Sequence, residues 1–327
     1  MLLRHIAGYA AHRTIATGLR TGLISELAGV PAGLSAEGLA AKLGADPFYV
    51  AAWCRAAFAA GLCDRVGESY VLVKETAGPL LDTASPGYVA GVFLLFEQEE
   101  LFGRFEKVLG TGERLWWDEC SPEFITRVAG TGTPFYTRLI PGGLSGVPGL
   151  VERLRDGCRV LETACGSGRG LLRLGQTYPK CELTGVDGDK HSLDKAASLL
   201  GEHGITAKLV TSSLEEMPTD ERYTVVINNI SMHECRDIDE VARRTMQVLE
   251  PGGWFVISDF PFPADDETLR ALPGRIMSAI QFFEAQIDDQ LLPRETYDAL
   301  LTRHGFVEMG WFQLTPMHAV TFGRRPY

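Results

Sequence analysis

A turn rich in small residues lies near the middle of the chain, in the segment VLETACGSGRG (residues 160–170). An apolar, strand-like run enters it, a helical pattern follows it, and alternate positions in its second half hold alanine or glycine. Such residues allow a tight turn and let backbone N–H groups approach a ligand closely. Arg169-Gly170 stands where the Lys-Ser/Thr of a phosphate-binding P-loop would be needed, so the turn predicts a different ligand.

A carboxylate follows this turn at a spacing that suits a nucleotide site. Asp187, in GVDGD, ends the next predicted strand about 20 residues after Gly166. At that place in a nucleotide-binding sheet, a carboxylate can accept hydrogen bonds from both ribose hydroxyls. The two features together predict a ligand with a ribose, although dinucleotide-binding folds share the same turn.

Polar side chains also occur where a later strand ends, in VVINNISMHECRD (residues 225–237). His233, whose ordinary pKa is about 6.5, could remove a proton from a substrate. Asn228 and Asn229 need hydrogen-bond partners if buried, and they could hold a ligand or cap the following turn. Glu284, in QFFEAQIDD, could orient His233 from a lid helix, although a solvated helix face explains it equally well.

The elements that must position these residues alternate between strand and helix from about residue 150. The strands are predicted at CRVLET, CELTGVD, TAKLVTS, YTVVINNI and GGWFVISD, with an antiparallel pair near the end. This alternation predicts an α/β fold, a Rossmann-like, mostly parallel seven-stranded sheet with helices on both faces. Ligands bind such sheets at the carboxyl ends of the strands, where the polar residues lie.

Three of these segments, in order, resemble motifs of the class I S-adenosylmethionine-dependent methyltransferases. They are ETACGSGRG, GVDGD and LEPGGWFVISDF, and the resemblance covers residues 150–327. It implies S-adenosylmethionine as the cofactor and S-adenosylhomocysteine as the product. The EPGG turn leads into the fifth strand of that fold, and it argues against the competing interpretation of a nicotinamide enzyme.

The resemblance also implies roles for single residues. In the family's loop pattern, acidic-x-G-x-G-x-G, Glu162 takes the acidic position, and Gly166 and Gly168 take two of the glycine positions. The family's loop cradles the methionine part of the cofactor, and Asp187 matches its ribose-binding acid. The positions implied to bind the cofactor are Glu162, Ala164, Cys165, Gly166, Gly168, Asp187, Gly188, Ser213, Leu214, Asn228, Asn229 and Tyr136.

Two of these positions depart from the family pattern. Ala164 replaces the first glycine of the loop, and its methyl group costs little only if the backbone φ angle is negative. Ser213 stands where the family often has an aspartate that contacts the adenine amino group, and a hydroxyl can accept the same hydrogen bond. Leu214 would then offer its backbone N–H to the adenine ring. Tyr136 could reach over the cofactor from a preceding helix, or it could belong to the core.

The segment that begins at His233 resembles a second, narrower motif. The distance of His233 from Asp237 is similar to that in the HDWxD motif of O-methyltransferases that use a catalytic histidine, with Glu234-Cys235 in place of Asp-Trp. This implies methyl transfer to a hydroxyl of a small molecule, with His233 as the general base and Glu284 beside it. A histidine that only lines the pocket is the alternative for His233. C- or N-methylation of a small metabolite is the alternative reaction.

Residues 1–84 are alanine-rich, and two predicted helices followed by a hairpin give them the outline of a winged-helix domain. The second of these helices, residues 47–60, carries four aromatic residues and only Arg55 as a basic one, a poor composition for reading DNA. Related methyltransferases use a similar domain for dimerisation, so a homodimer is expected. A DNA regulator with a ligand-sensing, methyltransferase-like domain is the alternative.

Residues 85–149 form a second helical zone, ahead of the methyltransferase-like domain at 150–327. We predict a long amphipathic helix over residues 87–110, another helix after Ser121-Pro122, and a linker at 141–149. The zone would cover the active site, and its aromatic residues suit a planar acceptor. These aromatic residues are Phe93, Phe96, Phe102, Trp116, Trp117 and Phe135.

Composition argues against several other functions. The net charge of −11 disfavours broad binding to nucleic acid or anionic membranes. The seven cysteines include no C-x-x-C pair and the six histidines other than His233 show no metal-ligand spacing, so neither a metal site nor a disulfide framework is predicted. A His/Asp/Glu metal site at the fourth strand is the alternative that stays open. The sequence has no run of about 18 apolar residues. We therefore expect a cytoplasmic enzyme of small-molecule or secondary metabolism, with no nucleic-acid or membrane partner.

Overall fold

The computed structural model describes residues 2–115 and 117–327 of the chain. The chain forms two compact units, Met1–Gln98 and Glu99–Tyr327. Residues 85–98 therefore belong to the first unit. The three-part division at residues 84 and 149 stays a prediction, and Trp116 lies outside the described residues.

The first unit is mainly helical. Its helices are α1 (Leu3–Thr21), α2 (Leu23–Ala28), α3 (Ala36–Leu43), α4 (Pro47–Ala59), α5 (Lys74–Leu81) and α6 (Ala90–Leu95). Strands β1 (Cys63–Val66) and β2 (Ser69–Leu72) pair antiparallel. The predicted order of helix, helix and hairpin is confirmed by α3, α4 and this strand pair, while the winged-helix and homodimer assignments stay predictions.

Local sequence signals set the bounds of α3 and α4. Ser35 Oγ accepts a hydrogen bond from the N–H of Gly38 (3.0 Å), and Gly44 follows the end of α3 with a φ of 62°. Asp46 accepts a hydrogen bond from the N–H of Phe48 (2.9 Å) at the start of α4. A polar N-cap and a left-handed glycine are the start and stop signals that these residues favour.

The second unit combines a sheet with helices. Its strands are β3 (Arg159–Thr163), β4 (Glu182–Asp187), β5 (Ala207–Thr211), β6 (Tyr223–Asn229), β7 (Leu249–Asp259), β8 (Val307–Thr315) and β9 (His318–Arg324). Its helices are α7 (Gly103–Val108), α8 (Pro122–Leu139), α9 (Leu150–Asp156), α10 (Arg169–Thr177), α11 (Lys190–Glu202), α12 (Ile238–Val248), α13 (Asp266–Arg270), α14 (Leu272–Glu284) and α15 (Arg294–Arg303). In the two described ranges, no helix is long and apolar enough to cross a membrane.

The strands of the second unit lie in the order β5-β4-β3-β6-β7-β9-β8. Strands β3 to β7 run parallel, and β9 runs antiparallel to both of its neighbours. The predicted fold, a mostly parallel seven-stranded sheet that ends in an antiparallel pair, is confirmed. The strand order reverses between β3 and β6, so the carboxyl ends of these two strands frame the place where such sheets bind ligands.

Strand β6 is buried along its whole length because apolar clusters cover both faces of the sheet. Val225 and Ile227 belong to one cluster, and Val226 belongs to the other. This division follows the two-residue period of a strand, whose successive side chains point to opposite faces. A strand fixed on both faces also fixes the residues that follow it, among them His233.

The long helix predicted over residues 87–110 is wrong. The structure has two six-residue helices there, α6 and α7, with residues 96–102 between them. Within the first unit, Glu97 pairs with Arg13 and with Arg20 (3.0 Å) of α1, and its carboxylate is almost fully buried. These ion pairs hold the chain in a non-helical conformation after α6. The apolar period of the sequence, interpreted as one helix, therefore extends over two separate helices.

The helix predicted after Ser121-Pro122 is confirmed as α8. Ser121 Oγ accepts a hydrogen bond from the N–H of Phe124 (3.1 Å) and caps this helix. The Pro- and Gly-rich segment 141–149, predicted as a linker, is exposed at most of its positions but is attached to the core by two apolar side chains. Leu144 and Val147 are fully buried in the core of the second unit, around a 3-10 turn at Gly143–Gly146.

Candidate active site

The turn between β3 and α10 has the backbone shape that its glycines predicted. Gly166 and Gly168 have φ angles of 50° and 78°, in the left-handed region that favours glycine. A Cβ atom on Gly168 would lie 2.8 Å from the Cβ of Ala196, so the approach of α11 also requires glycine there. No described atom lies within 4 Å of a Cβ built on Gly166, so the turn is open on that side.

Ala164 and Cys165 both contact the protein interior, Ala164 as a partly buried side chain and Cys165 as a fully buried one. Ala164 packs against the apolar cluster that contains Leu161, and Cys165 is fully buried and donates its N–H to the carbonyl of Val186 (3.1 Å). The φ angle of Ala164 is 50°. The alanine would cost little free energy only at a negative φ, so the backbone conformation here is unfavourable for it. An alanine held in the left-handed region is strained by about 1–2 kcal/mol.

Glu162 lies on β3 beneath this turn and is 1% exposed. Its carboxylate accepts a hydrogen bond from the N–H of Leu171, but Oε2 has no hydrogen-bond partner among the described residues. Burial raises the pKa of Glu162 to about 8, against the opposing effect of the Leu171 N–H. A Cβ on Gly170 would collide with the carboxylate, which explains that glycine. An unpartnered buried oxygen indicates a polar or cationic ligand.

Asp187, predicted to bind a ribose, ends β4 beside the turn. Its Oδ2 accepts a hydrogen bond from the N–H of Gly166 (2.8 Å), and its Oδ1 accepts one from the N–H of Asp189 (2.8 Å). Asp187 thus ties the turn to β4, a structural role that the sequence did not predict. A carboxylate has about four acceptor sites, so the same oxygens can still accept hydrogen bonds from hydroxyl groups.

The predicted adenine-side residues lie beside Asp187. A Cβ atom on Gly188 would lie 3.9 Å from the Cα of Ser213. The N–H of Ser212 donates a hydrogen bond to the backbone carbonyl of Asp187 (3.0 Å), which joins the loops after β4 and β5. Ser213 is exposed and Leu214 is buried. One ligand could therefore contact both loops, and the adenine-binding role of Ser213 and Leu214 stays a prediction.

The two asparagines at the end of β6 differ in their hydrogen bonding. Asn228 donates a hydrogen bond to Thr163 Oγ1 (3.0 Å) and accepts one from Ser231 Oγ (3.1 Å), so its amide braces β6 against β3. The buried amide of Asn229 approaches the hydroxyl of Tyr136 but makes no hydrogen bond of standard geometry with the described residues. Of the two amides, that of Asn229 still has its hydrogen-bond donor and acceptor available for a ligand.

His233 lies in the 3-10 turn Met232–Glu234 after β6 and is 4% exposed. Its Nδ1 is 2.8 Å from Oδ1 of Asp259, the last residue of β7. A carboxylate can only accept hydrogen bonds, so Nδ1 carries the proton and, in the neutral ring, Nε2 is left with its lone pair. The imidazole is thus oriented to accept a proton at Nε2.

Asp259 is itself held by two donors besides the imidazole. The hydroxyl of Tyr297 donates a hydrogen bond to Oδ2 (2.7 Å), and the N–H of Phe260 donates one to Oδ1 (2.8 Å). The sequence analysis missed Asp259 and Tyr297 as site residues. The position of Asp259 near the end of the motif LEPGGWFVISDF was the one sequence signal that could have identified it. No local pattern relates Tyr297 on α15 to His233.

Two further carboxylates face Nε2 of His233. Glu284 Oε1 lies 3.8 Å from it and Glu234 Oε1 lies 3.9 Å from it, both beyond ordinary hydrogen-bond distance. Glu284 is 3% exposed, so its interpretation as part of a solvated helix face is wrong. The three residues also have possible metal-ligand atoms within 4.8 Å of one another, the kind of grouping that the sequence left open as an alternative at this strand.

The surroundings of His233 favour its protonated form. Burial by itself would lower the pKa of the imidazole, but the Asp259 and Glu284 carboxylates outweigh it and raise the pKa well above 6.5. Neighbouring negative charge stabilises the imidazolium that forms when a base takes a proton. An aspartate-histidine pair at the ligand-binding edge of the sheet can therefore act as a general base.

Residues 160–253 match the family model described as "Methyltransferase domain". The matched segment begins in β3 and contains Glu162, Asp187 and His233. The chain carries a methyltransferase domain. The sequence-based predictions of a methyltransferase, of an enzyme and of S-adenosylmethionine as the cofactor are confirmed.

Solved structures resemble the methyltransferase over nearly its whole length. A putative O-methyltransferase from Nostoc punctiforme PCC 73102 has a TM-score of 0.78 at 16% identity, covering 99% of this chain and 98% of that chain. Human N-acetylserotonin methyltransferase in complex with S-adenosylmethionine has a TM-score of 0.72 at 15% identity, covering 100% and 97%. At these identities the likeness shows the fold.

A curated relative matches a shorter part of the methyltransferase. A fatty-acid O-methyltransferase from Mycolicibacterium smegmatis is 28% identical over 135 residues. The match covers 39% of this chain and 48% of the relative. The chain thus spans about half the length of this relative.

The open turn of the methyltransferase domain fits the chemistry of S-adenosylmethionine. The cofactor carries a positive sulfonium, a positive amino group and two ribose hydroxyls. Glu162 supplies a buried carboxylate oxygen without a partner among the described residues, and Asp187 keeps acceptor sites beside the open face of Gly166. Asn229 adds a buried amide with unfilled hydrogen-bonding capacity. The donor and acceptor types present therefore match those that the cofactor needs.

Ala164→Gly is expected to stabilise the folded methyltransferase by about 0.5–1 kcal/mol. Glycine removes a left-handed strain of about 1–2 kcal/mol, part of which is offset by its greater freedom in the unfolded chain. Denaturant unfolding of the purified variant measures the change. The control, Ala197→Gly on the exposed face of α11, should destabilise by about 1 kcal/mol. Equal losses in both variants would contradict a strained Ala164.

Proposed function

We propose that this methyltransferase transfers the methyl group of S-adenosylmethionine to a hydroxyl of a small molecule, with His233 as the general base. The proposal depends mainly on the His233–Asp259 pair, which is buried at the carboxyl ends of β6 and β7. That edge of the sheet also carries the turn after β3, so a base and a cofactor site lie along the same edge.

The methyltransferase's own residues would hold the cofactor at this edge. Glu162 and Asn229 offer buried polar groups without partners in the described part of the chain, and Asp187 offers acceptor sites for the ribose. The loops at Gly188 and Ser213 lie beside Asp187, which supports the predicted adenine site. When bound, S-adenosylmethionine supplies an activated methyl group on a positively charged sulfur.

The enzyme must then orient the acceptor and take its proton. In the neutral ring, Nε2 of His233 has the free lone pair for this step, and Asp259 fixes the ring through Nδ1. Tyr297 and the N–H of Phe260 fix Asp259 in turn, so the base is held by a chain of hydrogen bonds. Asp259 and Glu284 stabilise the imidazolium that results.

A buried aspartate-histidine pair favours an acceptor that must lose a proton. A hydroxyl and an acidic carbon both need this, whereas an amine attacks through its neutral lone pair. N-methylation is therefore the less favoured alternative, and C-methylation is compatible with the same base. The rate of a His233 variant separates proton-removing reactions from amine methylation.

The first unit supports a role in dimerisation. Helix α1 exposes Leu3, Ile6 and Tyr9, which follow at helical spacing and form an apolar stripe, and Tyr9 is 65% exposed. At the start of α4, Phe48 and Tyr49 are also exposed. A second copy of the chain is the partner that we propose for these surfaces, and a cytoplasmic location stays a prediction.

Asp187→Asn is expected to weaken S-adenosylmethionine binding by about 10- to 100-fold. The amide removes a negative acceptor for the ribose and replaces one acceptor of the turn by a donor, and a hydrogen bond to a charged group contributes about 1.5–3 kcal/mol. Isothermal titration calorimetry measures the affinity directly. Asp194→Asn, on the exposed face of α11, is the matched control and should bind like the wild type. Unchanged affinity in a folded Asp187→Asn protein would contradict the proposed cofactor site.

A further inference from the structure

Two carboxylates approach Nε2 of His233, the ring nitrogen that does not contact Asp259, and a third carboxylate follows them on the turn after α14. Glu234 and Glu284 approach Nε2 at 3.9 Å and 3.8 Å. Asp289 is on the turn after α14, where its N–H donates a hydrogen bond to the carbonyl of Glu284 (2.8 Å). Electrostatic interactions connect Asp289 with both Glu284 and His233. We call Glu234, Glu284 and Asp289 the acidic cluster.

The acidic cluster lacks the positive charge that its three carboxyl groups would need in order to be ionised together. Among the described residues, Glu234 and Glu284 form ion pairs with the imidazole that Asp259 already binds. Burial and the Glu284 carboxylate raise the pKa of Asp289 to about 7, and burial raises the pKa of Glu234 well above its ordinary value. Like charges in a partly buried site repel one another unless a cation lies between them.

Glu284 gives a separate indication of a missing partner. Its side chain is 4% exposed, and Oε2 has no hydrogen-bond partner among the described residues. A buried carboxylate oxygen of this kind costs free energy unless a donor reaches it. Because Oε1 of the same group faces His233 Nε2, a donor for Oε2 would lie beside the atom that receives the acceptor's proton.

We propose that the acceptor carries a protonated amino group, which the acidic cluster binds beside the hydroxyl that is methylated. The proposal rests on the proposed function, since it places the acceptor hydroxyl at His233. An ammonium group offers three donors and a positive charge, and charge-assisted hydrogen bonds to carboxylates are among the strongest in proteins. An acceptor with a carboxylate would be repelled by the same cluster.

Aromatic rings beside His233 favour a planar body for this acceptor. The ring of Phe260 lies edge-on to His233, with centroids 6.0 Å apart, and the ring of Phe135 lies 4.8 Å from Phe260. Flat apolar walls next to a few charged groups are typical of sites for small aromatic ligands. A phenol that carries an ammonium group on a short chain combines both features.

Calorimetric titration of the protein loaded with S-adenosylhomocysteine tests this inference with three matched phenols. The probes are tyramine, 4-ethylphenol and 3-(4-hydroxyphenyl)propionate, which are cationic, neutral and anionic. We expect tyramine to bind at least about tenfold more tightly than 4-ethylphenol, and the anion to bind most weakly. Equal affinities, or no binding of tyramine at millimolar concentration, would overturn the inference.

Variants assign the preference to the cluster. The double variant Glu234→Gln/Asp289→Asn should lose the preference for tyramine and keep its affinity for S-adenosylhomocysteine. Glu202→Gln, at the exposed end of α11, removes a charge elsewhere and should keep the preference. A folded double variant that still prefers tyramine would count against the inference, and thermal unfolding checks its fold.

Two further titrations complete the test. A metal titration distinguishes an ammonium site from a metal site, and a titration with S-adenosylhomocysteine distinguishes failure of this inference from failure of the proposed function. Micromolar binding of Zn²⁺ or Mn²⁺ to the wild type that Glu234→Gln abolishes would reassign the cluster to a metal ion and overturn the amine proposal. Wild-type protein that binds S-adenosylhomocysteine but shows no charge preference would overturn the inference alone. Wild-type protein that binds no S-adenosylhomocysteine would overturn the proposed function.

Discussion

We expect His233→Ala to lower kcat for methyl transfer to a hydroxyl by about 10²- to 10⁴-fold. The variant loses the only base that the proposal gives to the acceptor proton, and general-base catalysis contributes an acceleration of this size. Initial rates of S-adenosylhomocysteine formation with a phenolic acceptor measure the effect. S-Adenosylmethionine affinity should change little, because His233 is not among the groups assigned to the cofactor.

His191→Ala is the matched control for this result. His191 is exposed on α11, so its loss should leave both kcat and cofactor affinity at the wild-type level. A near-normal rate of the His233→Ala enzyme would show that His233 only lines the pocket. The same result with an amine acceptor would favour N-methylation, in which no base is required.

Asp259→Asn is expected to lower kcat by about 10²- to 10³-fold and to change its dependence on pH. The carboxylate of Asp259 fixes the proton on Nδ1 and stabilises the imidazolium, whereas an amide can also donate a hydrogen bond and so favour the wrong tautomer. Substitution of a buried aspartate behind a catalytic histidine has large effects in serine proteases for the same reason.

The direction of the pH effect follows from the charge that is lost. In the wild type, Asp259 contributes to a His233 pKa well above 6.5, and the base works only when the ring is neutral. The rate should therefore rise with pH through this raised pKa. Removing the carboxylate lowers the pKa, so the rising limb of the pH profile should move to lower pH in Asp259→Asn.

Kinetics across pH, with a fold check, complete the test of Asp259. Asp156→Asn, at the exposed end of α9, is the matched control and should keep the wild-type profile. A pH profile that moves to higher pH, or that does not move while the rate falls, would argue that Asp259 only supports the local structure. Thermal unfolding shows whether the loss of the Tyr297 partner destabilises the protein.

Much of the fold followed from the sequence because its signals are local. The alternation of strands and helices depends on periods of two and about 3.6 residues, and the caps at Ser35 and Asp46 depend on single side chains near their own backbone. The helix prediction based on periodicity was wrong over residues 87–110, where two short helices follow one continuous apolar period. There, the ion pairs of Glu97 with α1 interrupt the helix, and such pairs are not visible in a local pattern.

The cofactor side of the site could also be predicted, since its residues follow strands at fixed spacing. Glu162, Gly166 and Asp187 come together because β3 and β4 are parallel neighbours, as the alternating pattern requires. The structure added the conformation of Ala164. Its left-handed φ arises from the packing of the turn, because composition alone left both signs of φ open.

The acceptor side was decided by the tertiary structure. His233 and Asp259 are 26 residues apart, and Tyr297 is 38 residues beyond Asp259. Their contacts depend on how β6, β7 and α15 pack, and no local period encodes that packing. The sequence by itself determined which chemical groups the chain has and the edge of the sheet where they lie. Only the folded chain determined that Asp259 orients the histidine and that Glu284 is buried beside it, because both follow from long-range packing.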